Sequence, residues 1–190
     1  MKISSIFNEI DAWTTAFIIN IPSVIFGYKI RSFYWGSKFK KIENGALFCK
    51  GSKFEAPELI VVGKEVIFGE KITVAANDSN GIYIGNQVAI AQGTYIRSAN
   101  HNFDSLDLPI KQQGHNSAKI EYNNSIYSIV IEDDVWIAAN AIILSGAFIG
   151  KGSIIGAGAV ISNKIPEFSI VVGNPGRVVG NRKLNKNNNG

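Results

Sequence analysis

Isoleucine recurs at every sixth position over two stretches of this chain, and this period constrains the fold more than any other feature. The isoleucines of the repeat are Ile84, Ile90, Ile96, Ile131, Ile137, Ile143, Ile149, Ile155 and Ile161. A helix places its apolar residues three or four positions apart, whereas alternation interrupted by a turn every six residues is typical of very short strands joined by corners. The pattern therefore predicts a chain that coils.

The residues around each isoleucine agree with this interpretation. The position two before it is small or β-branched throughout, so that both side chains can face inward. The position after it is often Gly or Ala, as at Gly85, where a corner requires close approach of the backbone. A looser register runs through Val62, Phe68 and Val74 and slips by four residues across AANDSNG before Ile84. Because such short strands cannot bury their inner faces alone, we expect successive coils to stack with ladders of isoleucine in the core.

Two segments, IGNQVAIAQG and IEDDVWIAANAIILSGAFIGKGSIIGAGAVIS, resemble the hexapeptide-repeat acyltransferase family. Within it they look most like the cell-envelope polysaccharide O-acetyltransferases and the galactoside and maltose O-acetyltransferases. The resemblance covers roughly residues 59–179. It implies an all-β solenoid, namely a left-handed parallel β-helix in which three hexads make one triangular turn. It also implies a homotrimer that takes acetyl-CoA as cosubstrate, without a metal, in the groove between neighbouring chains.

The repeat divides the chain into segments. Residues 1–58 lack the hexad and are rich in aromatic side chains, so we expect a helical N-terminal cap and a connecting segment there. Residues 59–179 are expected to form the β-helix, interrupted by an extruded loop at 97–130, and connections of that length are usually functional. Residues 180–190 are rich in Asn and Lys and are expected to form a disordered tail.

Composition narrows the setting. The single cysteine, Cys49, cannot form an internal disulfide, which fits a reducing cytoplasm. The net charge of +4 is modest and does not call for nucleic acid as a partner, although a phosphate-rich ligand or an anionic membrane surface would suit it. The start of the chain does not resemble a secretory signal. Residues 12–28 carry no charge but are too short for a membrane span, so we expect a packed helix or one that lies at the inner face of the membrane.

The segment RSANHNFD resembles the point at which members of this family leave the coil with a catalytic histidine, and His101 occupies that place. Attack of a sugar hydroxyl on a thioester requires a general base, and an imidazole titrates near neutral pH. Either Asp104, the nearest acidic residue in sequence, or a backbone carbonyl is expected to orient the ring. We interpret the second histidine, His115, as a solvated loop residue.

The resemblance also implies a binding surface for the coenzyme. Trp136 matches the tryptophan of the family's VWIG motif, Ala138 stands where the family has Gly, and Ala139 and Ala157 match positions whose backbone contacts the pantetheine arm. Ser162 and Asn163 stand where the family has Thr-Lys, which leaves Lys164 one residue late for the coenzyme phosphates. Arg177 matches the basic residue of the family's GNPAKV ending, where a cation meets phosphate.

Loop residues beside the expected cleft are candidates to hydrogen-bond the acceptor sugar. These are Asp78, Asn80, Asn100 and Asp104.

The function that the resemblance implies is acetyl-CoA-dependent O-acetylation of a sugar hydroxyl on a surface polysaccharide precursor, such as an O-antigen, a capsule or an exopolysaccharide. The alternatives are an N-acetyltransferase of a nucleotide-linked amino sugar and a non-catalytic trimeric scaffold. The scaffold is supported by Ala138, Asn163 and Gly176, which depart from the family's sequence pattern. A γ-class carbonic anhydrase needs three zinc-binding histidines and this chain has two. A serine acetyltransferase would have a long helical front half, which is lacking.

Overall fold

The computed structural model describes residues 3–184, and most of them build a triangular parallel solenoid. Three sheets form its sides. Sheet 1 consists of β1 Lys41–Ile42, β4 Ile60–Val62, β7 Ile82–Ile84, β14 Ile129–Ile131, β17 Phe148–Ile149 and β20 Lys164–Ile165. Sheet 2 consists of β2 Leu47–Phe48, β5 Ile67–Phe68, β8 Ala89–Ile90, β15 Trp136–Ile137, β18 Ile154–Ile155, β21 Ser169–Val172 and β22 Arg177–Asn181, the last antiparallel. Sheet 3 consists of β3 Lys53–Glu55, β6 Thr73–Ala75, β9 Tyr95–Arg97, β16 Ile142–Leu144 and β19 Val160–Ile161.

The two isoleucine registers lie in the same three sheets. Ile84 pairs with Ile131 in sheet 1, and Ile96 pairs with Ile143 in sheet 3. The isoleucines of the repeat are buried in one continuous core, where each contributes about 1.5–3 kcal/mol relative to an exposed side chain. The predicted stacking of coils into a hexapeptide-repeat β-helix is therefore confirmed.

The corners stack as closely as the strands do. The backbone N–H of Gly85 donates to the Ile131 carbonyl at 2.8 Å. A Cβ atom built on Gly85 would lie 2.8 Å from the backbone nitrogen of Asp133 in the next coil, closer than real contacts allow. Glycine at this corner is thus required by the spacing between coils.

Two helices, α1 Ile3–Asn20 and α2 Ile25–Gly36, precede the solenoid. Trp35 of α2 is buried edge-on against Phe54, with ring centroids 4.8 Å apart. The fully buried Arg31 donates from Nε to the carbonyl of Phe48 at 2.6 Å. These contacts fix α2 on the first coil, where aromatic rings fill the end of the core. Within residues 3–184, neither helix combines the length and the apolar character needed to cross a bilayer.

The solenoid begins at Lys41, inside the segment 1–58 that the missing hexad marks as cap and connection. Its first coil buries Phe48 and Phe54 at positions where the third, fourth and fifth coils have isoleucine. A short 3-10 helix, Pro57–Leu59, leads from the first coil into the second. At the other end, β22 runs to Asn181. Of the tail expected to be disordered, residues 185–190 lie outside the described residues.

Candidate functional site

The chain leaves the solenoid after β9, at the corner between sheets 3 and 1, and returns at β14. This excursion contains two hairpins and a 3-10 helix. They are β10 Asn100–His101 with β11 His115–Asn116, β12 Ile120–Tyr122 with β13 Ser125–Tyr127, and the 3-10 helix Ile110–Gln112. The excursion is therefore an ordered unit attached to one corner of the prism.

The second hairpin covers the outer face of sheet 1. The ring of Tyr122 lies 4.9 Å from that of Tyr83 and 5.9 Å from that of Phe148, centroid to centroid. Burial raises the pKa of Tyr122 to about 12, and the nearby Glu132 carboxylate acts in the same direction. Burial also raises the pKa of Tyr83. Both phenols therefore remain neutral near pH 7, with Tyr122 on the covering hairpin and Tyr83 on the sheet that it covers.

The first hairpin carries both histidines. His101 on β10 is exposed and pairs directly with His115 on β11. The two imidazole rings are 4.4 Å apart at their centroids and tilted by 39°. His101 thus presents an accessible imidazole at the point where the chain leaves the coil, as the sequence predicts, but its ring neighbour is a histidine.

The loop between β6 and β7, residues 76–81, supports this hairpin from the coil. Its Asp78 carboxylate oxygen lies 3.7 Å from Nδ1 of His115. The hydroxyls of Ser79 and Ser98 are 2.7 Å apart. Asn80 donates from its side-chain amide to the Ala118 carbonyl at 3.0 Å. The four-residue slip in the repeat at AANDSNG therefore forms a loop that contacts the histidine hairpin.

Asn77, in the same loop, is not marked by any motif in the sequence. Its side-chain oxygen is buried and has no hydrogen-bond partner among the described residues. An unsatisfied buried acceptor costs about 1–3 kcal/mol, and such atoms often mark places where a ligand supplies the missing donor. The four-residue slip itself was the available signal, since an insertion in a regular repeat places extra side chains at one corner.

The other predicted acceptor residues lie in the same excursion. Asn100 is exposed and pairs with Asn116, one position before His101. Asp104 is exposed in the loop that follows β10. The side-chain amide of Gln113 closes this loop by donating to the Ser105 carbonyl at 2.9 Å and to the Leu108 carbonyl at 2.8 Å. Among residues 3–184, the carboxylate that lies within 4 Å of an imidazole nitrogen is that of Asp78, at 3.7 Å from Nδ1 of His115.

The residues predicted to line the channel for the pantetheine arm lie on another part of the prism. Trp136 is 51% exposed on the outer face of sheet 2, between Ala89 and Ile154 of the neighbouring strands. Ala138, which is buried, and Ala139 follow β15 at the corner between sheets 2 and 3. Ala157 is exposed at the same corner one coil further on. Within one chain, the tryptophan ring and the His101 imidazole thus lie on different faces.

The corner at Ala157 is open to solvent. A Cβ atom built on its neighbour Gly158 would meet no atom within 4 Å, and the Gly158 N–H donates to the Ala139 carbonyl at 3.0 Å. The surface beside Ala157 and Gly158 is therefore free of overhanging side chains.

The candidate phosphate-binding residues separate into two places. Ser162 and Asn163 are exposed at the corner from which the histidine hairpin emerges, two coils away. Lys164 lies on sheet 1 with its Nζ 5.3 Å from the centre of the Phe148 ring. Arg177 is exposed on β22 and pairs with Val172.

The departure at Gly176 has a packing explanation. A Cβ atom at this buried position would lie 2.4 Å from Cδ1 of Ile161 and 3.0 Å from the carbonyl oxygen of Val160. Glycine here therefore accommodates the isoleucine below it and does not by itself indicate a decayed site.

Comparisons with known proteins agree with the fold. The family model for the bacterial transferase hexapeptide, six repeats, matches residues 128–163. A probable acetyltransferase of Mycobacterium tuberculosis is 30% identical over 180 residues, which cover 80% of this chain and 57% of that protein. The chain thus spans less than two thirds of the length of this curated relative.

Solved structures extend the likeness. A hexapeptide-repeat acetyltransferase of Vibrio cholerae, solved with acetyl coenzyme A, has a TM-score of 0.68 and 26% identity, with 86% of this chain and 80% of that chain covered. A galactoside acetyltransferase in complex with coenzyme A has a TM-score of 0.70 and 20% identity, with 98% and 86% covered, and so shares the fold.

The triangular coil and its corner residues define a hexapeptide-repeat β-helix protein. Within that class, residues 128–163 match the bacterial transferase hexapeptide family, and the chain is similar to acetyltransferases built on this repeat.

Proposed function

We propose that this chain is an acetyl-CoA-dependent O-acetyltransferase that acts on a sugar hydroxyl of a surface polysaccharide precursor, with His101 as its general base. The observation that carries the proposal is the exposed imidazole on the hairpin that leaves the third coil. The bound acetyl coenzyme A of the Vibrio cholerae relative supports the choice of cosubstrate.

In the proposed reaction, the neutral His101 imidazole takes the proton of the acceptor hydroxyl as its oxygen attacks the thioester carbonyl. A tetrahedral intermediate forms, and a backbone N–H near the corner stabilises its oxyanion. Collapse of the intermediate expels the coenzyme thiolate, which receives the proton from the imidazolium. No acyl-enzyme is formed.

The acceptor is proposed to bind over the loop 76–81 and the first hairpin. Asn100 and Asp104 would offer hydrogen bonds to sugar hydroxyls. Because these groups belong to the same corner as His101, an acceptor held by them has a hydroxyl near the base.

The coenzyme is proposed to lie along the corner between sheets 2 and 3. Its pantetheine arm would pass Trp136, Ala138, Ala139 and Ala157. Ser162, Asn163, Lys164 and Arg177 are the proposed partners for its phosphates. Since Trp136 and His101 lie on different faces of one chain, a neighbouring chain would have to bring the thioester to the imidazole.

A homotrimer with active sites between subunits meets this requirement. The outer face of sheet 2 supports it, because its side chains form an apolar row in register across the coils. The row consists of Leu47, Ile67, Ala89, Trp136, Ile154 and Ile170. Exposed apolar rows of this kind usually mark a protein interface.

We also propose that the helical segment contacts the inner face of the membrane from the cytoplasm. On α1, Ile10, Trp13 and Phe17 form one exposed stripe, and on α2 Phe26 and Phe33 do the same, with Lys29 between them. Exposed aromatic side chains beside a lysine are typical of helices that lie at an anionic lipid surface.

The test is acetyl transfer by the purified full chain. Acetyl-CoA would be supplied with nucleotide sugars, nucleotide amino sugars and lipid-linked glycans, with thiol release and product mass measured. We expect acceptor-dependent release and a product whose acetyl group is removed by mild alkali, as an O-ester is. An alkali-stable product on an amino sugar would indicate N-acetylation. Failure to bind acetyl-CoA would indicate a scaffold.

A further inference from the structure

His115 is the cross-strand partner of His101, and this relationship is not apparent from the sequence. The ladder of the first hairpin pairs Asn100 with Asn116 and His101 with His115. The backbone N–H of Asn102 continues the pairing by donating to the Gly114 carbonyl at 3.0 Å. Side chains directly opposite one another in such a ladder pack together, which explains the 4.4 Å separation of the two rings.

The loop 76–81 brings the carboxylate of Asp78 close to the ring of His115. Its carboxylate oxygen is 3.7 Å from Nδ1 of His115, and its backbone has the left-handed φ of 57°. The neighbouring residues are held in place, since the Gly81 N–H donates to Ser79 Oγ at 3.0 Å and the Asn80 N–H donates to Ser128 Oγ at 3.0 Å. The carboxylate is therefore presented by an anchored loop.

We propose that Asp78 and His115 are positioning residues for the catalytic imidazole. Asp78 holds His115, and the His115 ring packs against His101 and limits the orientations that His101 adopts. Neither residue touches the thioester. This inference rests on the proposed function, because a positioning role requires that His101 is the general base.

The physical need for such support follows from the exposure of His101. An exposed side chain changes rotamer within nanoseconds, whereas proton transfer during attack requires a base within hydrogen-bond reach of the hydroxyl. A misplacement of about 1 Å can reduce the rate about 100-fold. A carboxylate that holds a second ring against the first reduces this freedom without entering the reaction.

Steady-state kinetics of the full chain test the proposal. We expect His115→Ala to lower kcat about 10- to 100-fold with little change in KM for acetyl-CoA, because orientation and not coenzyme binding is lost. His115→Phe keeps a ring against His101 and should recover part of this loss. Asp78→Asn should lower kcat less, and Asp78→Asn combined with His115→Ala should be no worse than His115→Ala alone. Asp107→Asn, at an exposed carboxylate in the loop that joins β10 to β11, is the matched control.

A second measurement needs no acceptor. The chain has two histidines, so NMR of a sample labelled in its histidine rings gives two assignable sets of signals. Asp78→Asn should shift the signals of both rings, and Asp107→Asn neither. Circular dichroism of every variant reports whether the solenoid is intact.

The outcomes separate this inference from the proposed function. If His115→Ala keeps full kcat while His101→Ala is inactive, the positioning role is wrong and the base stands. If His101→Ala is fully active, the proposed function itself fails. Two further results would contradict the proposal that Asp78 acts on His101 through His115. One is that the losses from Asp78→Asn and His115→Ala are additive, and the other is that the His101 signals do not move in the spectrum of Asp78→Asn.

Discussion

The side-chain amide of Asn80 donates to the carbonyl of Ala118, which is 38 residues further along the chain, at 3.0 Å. It also lies 3.1 Å from the hydroxyl of Ser117. These bonds join the loop 76–81, which follows the second coil, to Ser117 and Ala118 in the segment between the two hairpins. The position of the histidine hairpin is therefore set by the coil, and not by the hairpin alone.

Asn80→Ala is expected to loosen the attachment of this segment to the loop 76–81. Leaving the partly buried carbonyl and hydroxyl unpaired should lower the free energy of unfolding by about 1–3 kcal/mol. Hydrogen exchange should accelerate at residues 100–118 while the strands of the solenoid keep their protection. The control is Asn44→Ala, an exposed asparagine at another corner. Equal protection at residues 100–118 in Asn80→Ala and in the unmodified chain would contradict this role.

Much of the fold follows from the sequence because one physical requirement repeats. Each coil must bury one side chain per strand, so Ile84 and Ile131 had to share a sheet although 47 residues separate them. The first coil escaped prediction because Ile42, Phe48 and Phe54 are not followed by the Gly or Ala that marks the corners of the second coil, although their spacing of six was a usable signal.

The site was less predictable than the coil. The place of His101 follows from the interruption of the repeat. The pairing of His101 with His115 depends on how the intervening loop closes, here through hydrogen bonds of the Gln113 amide, and no periodic pattern encodes that. Asp104 is nearer than Asp78 to His101 in sequence, but the coil brings Asp78 back beneath the hairpin.

Truncation of an isoleucine to alanine should lower the free energy of unfolding more when the side chain points into the core than when it points outward. Ile143 is fully buried, whereas its neighbour Ile142 is only partly buried on the same strand. Ile143→Ala should cost about 2–5 kcal/mol in urea unfolding, because it opens a cavity in the ladder. Ile142→Ala should cost about 1 kcal/mol or less. Equal costs would contradict the assignment of inner and outer faces.

Tyr122 predicts a pH dependence at the alkaline end. Its pKa is raised to about 12 by burial, whereas a tyrosine in an unfolded chain has a pKa of about 10. The unfolded chain therefore loses its proton first, and the stability due to this difference is fully present below pH 10 and disappears as the pH rises towards 12. The stability difference between the unmodified chain and Tyr122→Phe should be constant up to pH 10 and then shift against the unmodified chain. A constant difference throughout would show that Tyr122 is not buried between the second hairpin and sheet 1.

Membrane contact is tested with vesicles of phosphatidylglycerol and phosphatidylcholine. Trp13 and Phe17 are 79% and 74% exposed, and their joint replacement by serine should weaken sedimentation with these vesicles at least about tenfold. Val179→Ser removes an exposed apolar side chain from the last strand of the solenoid and should leave binding intact. If the replacements at Trp13 and Phe17 change the molar mass by light scattering instead, the stripe contacts a second copy.

The most direct test of the central claim is the turnover of His101→Ala with acetyl-CoA and an acceptor that the unmodified chain acetylates. Loss of the general base should lower kcat about 100- to 10,000-fold, while circular dichroism and binding of acetyl-CoA remain those of the unmodified chain. Full turnover by a correctly folded His101→Ala would contradict the assignment of this imidazole as the base.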